Sequence, residues 1–354
     1  MDYESFPYNT WRKLMKSCFN EYNQNILKSA PPEGNYDLRE AVAKHIYHSR
    51  GVHCSARQVI IGAGIDNLIR ILSALIGADY KIAMENPVYY EAYSLFKSLG
   101  HEIDSIDVDE GGMITDLLPK EDHTAVYVTP SHQFPLGITM TAGSRVRLLN
   151  WAYEKECRYI IEDDYDSEFR YNSKLIPSVQ SIDVKGRVIY LGTFSKTIAP
   201  SIRISYMVLP EKLLNYYDEK YTKFSSAVSV LEQNILTEFI SEGYYERHLN
   251  RMRKLYGEKR NVLLGELKSL KGKIRINGEN AGHHMAIKLL NGLSEEEMVL
   301  QAKKVGVRVY PLSAYFLEDV PEKYKSTVLI GYAELSNKEI AEGVHLLKKV
   351  WLSD

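Results

Sequence analysis

The chain has 354 residues, of which 45% are hydrophobic and 25% charged, and its formal net charge at pH 7 is -2. The length suggests about two domains of an ordinary globular protein, and the near-neutral charge argues against a protein dedicated to binding polyanions. No apolar run approaches the roughly 18 residues that cross a membrane, the start has no export signal and the three cysteines form no CxxC pair, so we expect a cytoplasmic protein without membrane attachment.

The first 75 residues predict two helices, a strand and a third helix. Asn9 or Thr10 can cap a helix that runs to about Asn23, and a second helix follows Gly34. The buried-type strand 59–61 ends at Gly62-Ala63-Gly64, and a helix then covers 66–75. Unpaired amides and the dipole make such a helix start an anion site, which indicates Ala63 and Gly64 as ligands.

Three histidines and one cysteine near the second helix are residue types that can bind a metal ion. Their spacing fits no zinc pattern and no second cluster completes a ligand set, so we predict no metal here. The residues are His45, His48, His53 and Cys54.

Three further strands of buried type each end in polar residues. Strand 80–83 leads into Glu85-Asn86-Pro87-Val88-Tyr89, and strand 126–128 leads into a loop that contains Ser131-His132-Gln133-Phe134-Pro135. Strand 159–161 leads into five carboxylates within residues 162–168. That acidic run could be a metal site or a solvated turn, but the apolar strand before it makes solvation of all five side chains a poor explanation.

Residues 188–209 carry the most specific chemistry. An apolar strand at 188–191 ends in a turn that contains Thr193, Ser195 and Lys196, and Arg203 precedes a second apolar run. A lysine at the mouth of an apolar core loses hydration, which makes its amine a nucleophile for a carbonyl. The two hydroxyls and the arginine can bind a phosphate, so the turn suggests pyridoxal 5'-phosphate (PLP). The alternative is a buried strand that ends in a polar turn with a solvated lysine.

The last third of the chain is predicted to form helices followed by a small α/β unit. Acidic residues interrupt the basic stretch 242–254, which favours a solvated or inter-subunit helix over a nucleic-acid surface. Beyond it we predict strands at 285–289, 307–309 and 328–330, and helices at 294–303 and 338–350, the last begun by Asn337.

The Gly-Thr-Phe-Ser-Lys segment, with an arginine seven residues after its lysine, resembles fold-type I PLP enzymes, the aminotransferase superfamily. The longer segment through Arg203 resembles the aminotransferase-like domain of MocR/GntR-type transcription regulators. The Glu-x-Pro-x-Tyr segment at 85–89 and the Ser-His-Gln-Phe-Pro segment at 131–135 are similar to theirs. The helix-turn-helix domain of those regulators is not in the sequence, which leaves open a free-standing relative or an excised domain.

The resemblance implies a role for each site residue. Lys196 would hold PLP as a Schiff base and shuttle a proton, Asp163 would pair with the pyridine nitrogen, and Tyr165 would bind the phenolic oxygen. Asp164 competes with Asp163, because a one-residue shift of the alignment exchanges them. Tyr89 would stack on the pyridine ring, unless it only packs in the core. The phosphate would be bound by Ala63, Gly64, Thr193, Ser195 and Arg203.

Two positions depart from the common aminotransferase pattern. Phe134 stands where most members have an asparagine that binds the cofactor, and His132 or Gln133 is the candidate substitute. The arginine that binds the substrate carboxylate is missing near Leu329, where Arg308 or another arginine would have to serve. The substrate is therefore open.

The resemblance also implies the fold and the function. We expect an α/β fold of PLP-dependent transferase type I: a large domain with a mostly parallel sheet flanked by helices, of seven-stranded type, and a small α/β domain. Residues 1–40 would join the small domain, 41–245 would form the large domain and 246–354 the small one. The expected function is amino transfer from an amino acid or amine to a 2-oxo acid, in a homodimer that does not itself bind nucleic acid. The alternatives are an effector-sensing PLP domain of a MocR-type regulator and a scaffold without cofactor.

Overall fold

The computed structural model describes residues 2–20, 24–171 and 176–352. Within these ranges it contains ten α-helices and twelve strands in two sheets. The helices are α1 Tyr8–Cys18, α2 Tyr36–Arg50, α3 Ile65–Ile76, α4 Tyr90–Ser98, α5 Ala142–Tyr153, α6 Glu211–Tyr221, α7 Val230–Ser241, α8 Tyr244–Leu267, α9 Glu295–Lys304 and α10 Asn337–Trp351. The strands are β1 Val59–Gly62, β2 Lys81–Asn86, β3 Ile103–Asp109, β4 Gly112–Met113, β5 Thr124–Val128, β6 Arg158–Asp164, β7 Val188–Thr193, β8 Ser205–Val208, β9 Ile274–Asn277, β10 His284–Leu289, β11 Tyr310–Pro311 and β12 Thr327–Gly331.

The larger sheet has the strand order β1-β8-β7-β6-β5-β2-β3-β4. Strands β7, β6, β5, β2 and β3 pair in parallel, whereas β8 runs antiparallel to both of its neighbours and β4 is a two-residue edge strand. The predicted α/β fold with a mostly parallel sheet flanked by helices is confirmed. The sheet has seven strands and the short β4, which the sequence did not indicate.

Both faces of this sheet are covered, which explains why its strands read as continuous apolar runs. In β7, Ile189 and Leu191 pack with α3, α4 and α6, whereas Tyr190 packs on the opposite face with α2 and α7. This alternation is the two-residue period of a strand. Polar residues can therefore reach solvent only at the strand ends, where the predicted site residues lie.

The smaller sheet has the order β11-β12-β10-β9 and is antiparallel throughout. It packs against α8, α9 and α10 in a core of its own. The predicted strands at 285–289 and 328–330 are confirmed, but the one at 307–309 is wrong. Pairing with β12 begins only at Tyr310, and Val309 is apolar because it packs in this core.

Two predicted helix starts are also wrong. α1 begins at Tyr8 after Pro7, so Asn9 and Thr10 lie inside the helix, which ends at Cys18; the predicted end near Asn23 lies outside the described residues. α10 is capped by Ser336 rather than by Asn337. In the ranges that the structure covers, no helix combines the length and the apolar character needed to cross a membrane.

The N-terminal segment contacts both halves of the molecule. α1 packs against α2 and α7 beside the larger sheet, with Leu14 and Cys18 buried. Asp2 forms a 2.7 Å ion pair with Lys259 of α8, and the Tyr3 hydroxyl donates to Glu334 at 3.4 Å. The assignment of residues 1–40 to the small domain, and the other domain boundaries, stay predictions.

Candidate active site

A cavity of about 330 Å³ opens at the carboxyl ends of β2, β5, β6 and β7. Open parallel sheets place their ligands at this edge. Seven of the nine predicted cofactor-binding residues line the cavity: Tyr89, Asp163, Tyr165, Thr193, Ser195, Lys196 and Arg203. Residues of α3 and Phe134 also line it, so side chains from five separate stretches of sequence meet in one space.

Lys196 lies in the turn that follows β7, and it is exposed. The predicted loss of hydration is therefore wrong for this residue, because the turn projects beyond the strand into the open cavity rather than into the core. The Thr193 hydroxyl accepts the Ser195 amide at 3.1 Å and the Ser205 hydroxyl at 2.8 Å, so its own proton remains available for a ligand. The Ser195 hydroxyl is buried and has no partner in the part of the chain that the structure describes.

Asp163 and Asp164 point to opposite faces of β6, as neighbours in a strand do. Asp163 lines the cavity, where its Oδ2 accepts a hydrogen bond from the Tyr127 hydroxyl. Its Oδ1 is buried and has no partner among the described residues. Asp164 instead pairs with Arg50 and accepts from Tyr190, both at 2.5 Å. The geometry therefore favours Asp163 over Asp164 as the carboxylate that faces a ligand.

The burial of Asp163 changes the pKa of its carboxyl. Burial raises the pKa of its carboxyl to about 7; the hydrogen bond from Tyr127 opposes that shift, and the nearby Asp164 and Asp166 add to it. A buried carboxylate with one unpartnered oxygen is stabilised by a ligand that brings a positive N–H group.

The predicted phosphate-binding site is formed by the start of α3 and by Arg203. Gly64 precedes α3 with φ 94°, and a side chain there would overlap the Arg203 guanidinium. Arg203 forms an ion pair with Asp66, which a bound phosphate would have to share or displace. The Ala63 amide donates to Asn67 at 3.1 Å, so in this structure it is engaged within the loop.

The aromatic side of the cavity is built around Phe134. Its ring meets Tyr89 edge-on at 5.4 Å and Tyr165 at 6.2 Å between centroids. The Tyr165 hydroxyl donates to the His132 carbonyl at 3.0 Å and lies 3.1 Å from His132 Nδ1. The side-chain amide of Gln133 is used for the Pro87 and Phe134 carbonyls. Of the two candidate substitutes for the missing asparagine, His132 is therefore the one that contacts a predicted cofactor ligand, Tyr165.

The acidic run 162–168 has an individual partner for nearly every carboxylate. Glu162 accepts the amides of Val179 and Gln180, and Asp166 lies 2.7 Å from His132 Nδ1. Although burial opposes ionisation, His132 holds the pKa of Asp166 below its usual value. Glu168 pairs with His45 and Arg253. The run is thus neither a solvated turn nor, in the ranges 2–20, 24–171 and 176–352, part of a group of three or more His, Cys, Asp or Glu that could hold a metal ion.

Three predictions outside the cavity are settled by the packing. Arg308 stacks over Tyr310 at 4.9 Å and is not among the described residues that line the cavity. Leu329, at the position of the expected arginine, is buried under the loop after β5. The basic stretch 242–254 lies mostly in α8, as the predicted solvated or inter-subunit helix, and one face of it packs inside the protein through Tyr245, His248, Leu249 and Met252.

Tyr127 and Glu85 were not among the predicted site residues, although both support the site. Glu85 Oε2 accepts the Thr129 amide at 3.1 Å and its hydroxyl at 2.8 Å, and the Phe134 amide donates to the same hydroxyl at 3.2 Å. Burial raises the pKa of Glu85 to about 7. A polar residue inside the apolar strand β2 was the available signal.

The arrangement fits PLP on three observations. Asp163 Oδ1 offers a buried acceptor for the pyridine N–H group, the unpartnered Ser195 hydroxyl and Arg203 offer donors for a phosphate, and Lys196 offers an amine. PLP carries a pyridine ring, an aldehyde and a phosphate, and the cavity offers a suitable partner for each of them.

Comparisons with known proteins agree with the geometry. Residues 2–347 match the family model for aminotransferase class I and II. The HTH-type transcriptional regulator YdeL of Bacillus subtilis (strain 168) is 41% identical over 352 residues, covering 99% of this chain and 75% of that protein. The probable rhizopine catabolism regulatory protein MocR of Rhizobium meliloti is 33% identical, covering 99% and 71%. The crystal structure of a multiple substrate aminotransferase from Thermococcus profundus matches with a TM-score of 0.86 at 26% identity, covering 99% of this chain and 88% of that one.

Proposed function

The chain belongs to the aminotransferase class I and II family, whose cofactor is PLP, and from this we propose that it is a PLP-dependent aminotransferase. Its substrates would be an amino acid or amine as donor and a 2-oxo acid as acceptor, and its working form would be a homodimer. The observation that carries the proposal is the meeting of the Lys196 amine and the unpartnered Asp163 carboxylate oxygen in one cavity.

In this proposal each side chain acts at a stated atom. PLP, when bound, supplies an electron-withdrawing ring that stabilises negative charge on the carbon beside the amino group. Lys196 Nζ would hold the cofactor through its aldehyde, and as a free amine it would accept the proton from the donor carbon. Asp163 Oδ1 accepts the pyridine N–H and keeps it protonated. The phosphate is bound by Thr193, Ser195, Arg203 and the amides of Ala63 and Gly64. To bind it, the Ala63 amide leaves its hydrogen bond to Asn67.

Tyr89 and Tyr165 complete the proposed cofactor site. Tyr89 is half-buried, and its ring can lie along a flat aromatic ligand. Tyr165 would donate to the phenolic oxygen once its hydroxyl leaves the His132 carbonyl, to which it donates in this structure.

A second candidate function is effector sensing by a MocR-type regulator domain. Two relatives support it, since both are named as regulators and match this chain along nearly its whole length. A sensor would bind PLP and a small amine through the same residues, but it would not regenerate the cofactor with an acceptor. Turnover therefore separates the two functions.

The test is the visible absorption of the purified chain with PLP, before and after a panel of amino acids and amines. An aminotransferase shows a yellow band that bleaches with a donor and returns with a 2-oxo acid. A band that shifts and stays shifted supports the sensor. The absence of any band after PLP addition would overturn both functions.

Replacing Lys196 with Ala should abolish the borohydride-fixed covalent label, because no other amine lines the cavity among the described residues. The label is located by peptide mass spectrometry, and Lys44→Ala on the exposed face of α2 serves as the control, which should keep the label. A label that persists in the Lys196→Ala chain would show that another lysine bonds the cofactor.

A further inference from the structure

The first two turns of α8 hold the residue that follows Lys196. The Tyr245 hydroxyl donates to Thr197 Oγ1 at 2.9 Å, and His248 Nε2 lies 2.9 Å from the Thr197 carbonyl oxygen. Tyr245 and His248 are three residues apart, so they share one face of the helix. All three residues are at least 97% buried. Two independent hydrogen bonds from one helix thus converge on one residue of the lysine turn.

The partners of His248 define its tautomer. A carbonyl oxygen can only accept, so Nε2 must carry the proton and Nδ1 must accept. Arg251 Nη2 lies 3.2 Å from Nδ1, where it donates, and the same guanidinium also donates to the Ser5 carbonyl. Burial lowers the pKa of His248 to about 4, the Thr197 bond opposes the shift and Arg251 adds to it. His248 is therefore a neutral donor with a fixed orientation.

The same face of α8 also packs against the other side of the lysine turn. The Phe194 ring meets the Tyr245 ring edge-on at 5.4 Å. The Thr197 amide donates to the Phe194 carbonyl at 3.2 Å, which closes the turn over Ser195 and Lys196. Lys196 is thus flanked by Phe194 and Thr197, both of which contact α8, while its own side chain extends into the cavity.

We propose that His248, with Tyr245, is a positioning residue for Lys196 and acts by holding the Thr197 carbonyl. The inference rests on the proposed function to the extent that Lys196 is the residue that bonds PLP. A turn released from this hydrogen bond samples other backbone conformations, so the Lys196 amine reaches the bonding position less often. A displacement of about 1 Å in a reacting group can slow a reaction about a hundredfold, so a hydrogen bond remote from the cofactor can control its capture.

The experiment compares three variants for the rate at which PLP bonds the cofactor-free chain, followed by the growth of the visible band. His248→Leu removes the donor and keeps an apolar side chain, whereas His248→Gln keeps an N–H group that can reach the Thr197 carbonyl. The matched control is His101→Leu. His101 is also buried and bonds a backbone carbonyl, that of Tyr80, at 2.8 Å, but it lies outside the cavity lining. Urea unfolding and the pH midpoint of the visible band are measured for each.

We expect His248→Leu to bond PLP about tenfold to a hundredfold more slowly than the wild type and to shift the pH midpoint of the band. His248→Gln should restore most of the rate. His101→Leu should lose stability but keep the wild-type rate and midpoint. An equal rate in His248→Leu and the wild type, or an equal loss in His101→Leu, would overturn the positioning role while leaving the proposed function intact. A wild-type chain that takes up no PLP would overturn both.

Discussion

Asp163 and Asp164 are adjacent in β6, and this difference of one position decides which of them can bind a ligand. They are chemically identical neighbours, and each has one buried oxygen without a partner among the described residues, yet Asp163 lines the cavity whereas Asp164 faces Arg50. The difference comes from the alternation of side chains along β6. The first of the two is therefore suited to a ligand, and the second to holding α2 against the sheet.

Asp163→Asn should leave PLP bound but nearly stop proton removal from the donor, because an amide cannot keep the pyridine nitrogen protonated. Asp164→Asn should instead lower the free energy of unfolding by about 3–5 kcal/mol, because it breaks a buried ion pair. Stopped-flow absorption and urea unfolding of both variants check this. If Asp164→Asn stops the chemistry in a stable protein, the assignment is wrong by one residue.

At the level of elements, Glu85 joins β2 to the loop after β5. Its carboxylate holds Thr129, which in turn holds the amide of Phe134. Because Phe134 contacts Tyr89 and Tyr165, this buried carboxylate supports the aromatic side of the cavity.

Glu85 should make stability dependent on pH. Burial raises its pKa from 4.5 to about 7, so the folded state keeps a proton that the unfolded chain releases. The stabilising contribution is complete below pH 4.5 and is lost as the pH rises through about 7. Relative to Glu85→Gln, the wild type should lose on the order of 3 kcal/mol between pH 4 and pH 8 in urea unfolding. Glu219→Gln, at an exposed position of α6, is the control. A parallel pH dependence in the wild type and Glu85→Gln would contradict the prediction.

The start of α10 depends on a reciprocal pair of hydrogen bonds. The Glu339 amide donates to the Ser336 hydroxyl at 3.3 Å, and the Ser336 amide donates to the Glu339 carboxylate at 2.8 Å. Ser336→Ala should lower the free energy of unfolding by about 1 kcal/mol. Asn337→Ala, one position later, should cause a much smaller change. Urea unfolding measures both, and an equal effect would mean that Ser336 is not the main cap of the helix.

At the scale of the whole molecule, α8 connects the two sheets. Its first turns pack against the lysine turn beside the larger sheet, and its last turns carry Leu263 and Leu267 into the core of the smaller one. Lys259, between them, donates to the Ala333 carbonyl at 2.7 Å. The helix therefore fixes where Lys196 lies relative to the smaller sheet.

PLP should stabilise the whole chain, because its ligands come from several strands that are apart in the unfolded state. At a free concentration of about one hundred times the dissociation constant, the gain in the free energy of unfolding should be about 2.7 kcal/mol. The Lys196→Ala chain should gain less at the same concentration. Urea unfolding with and without PLP tests this, and an equal gain in both proteins would mean that Lys196 does not contribute to binding.

Much of the site could be predicted because its chemistry lies at strand ends. A buried parallel strand is a continuous apolar run, and the polar residues that follow it must lie at the edge of the sheet, so Asp163, Thr193 and Lys196 could be placed there from the sequence. The first residues of α1 and α10 could not be predicted from the sequence, because several neighbouring residues are acceptable caps and only the backbone geometry distinguishes them.

Apart from the α/β class, which the family resemblance implied, the sequence by itself determined the order of the strands that carry the site and the set of groups that could meet a phosphate and an aldehyde. These depend on periodicity and on residue type, which are local properties. The tertiary structure alone decided that Asp163 rather than Asp164 faces the cavity, that Lys196 is exposed and that His248 holds Thr197. Those facts depend on contacts between residues far apart in the chain, and such contacts exist only once the sheet and α8 have packed.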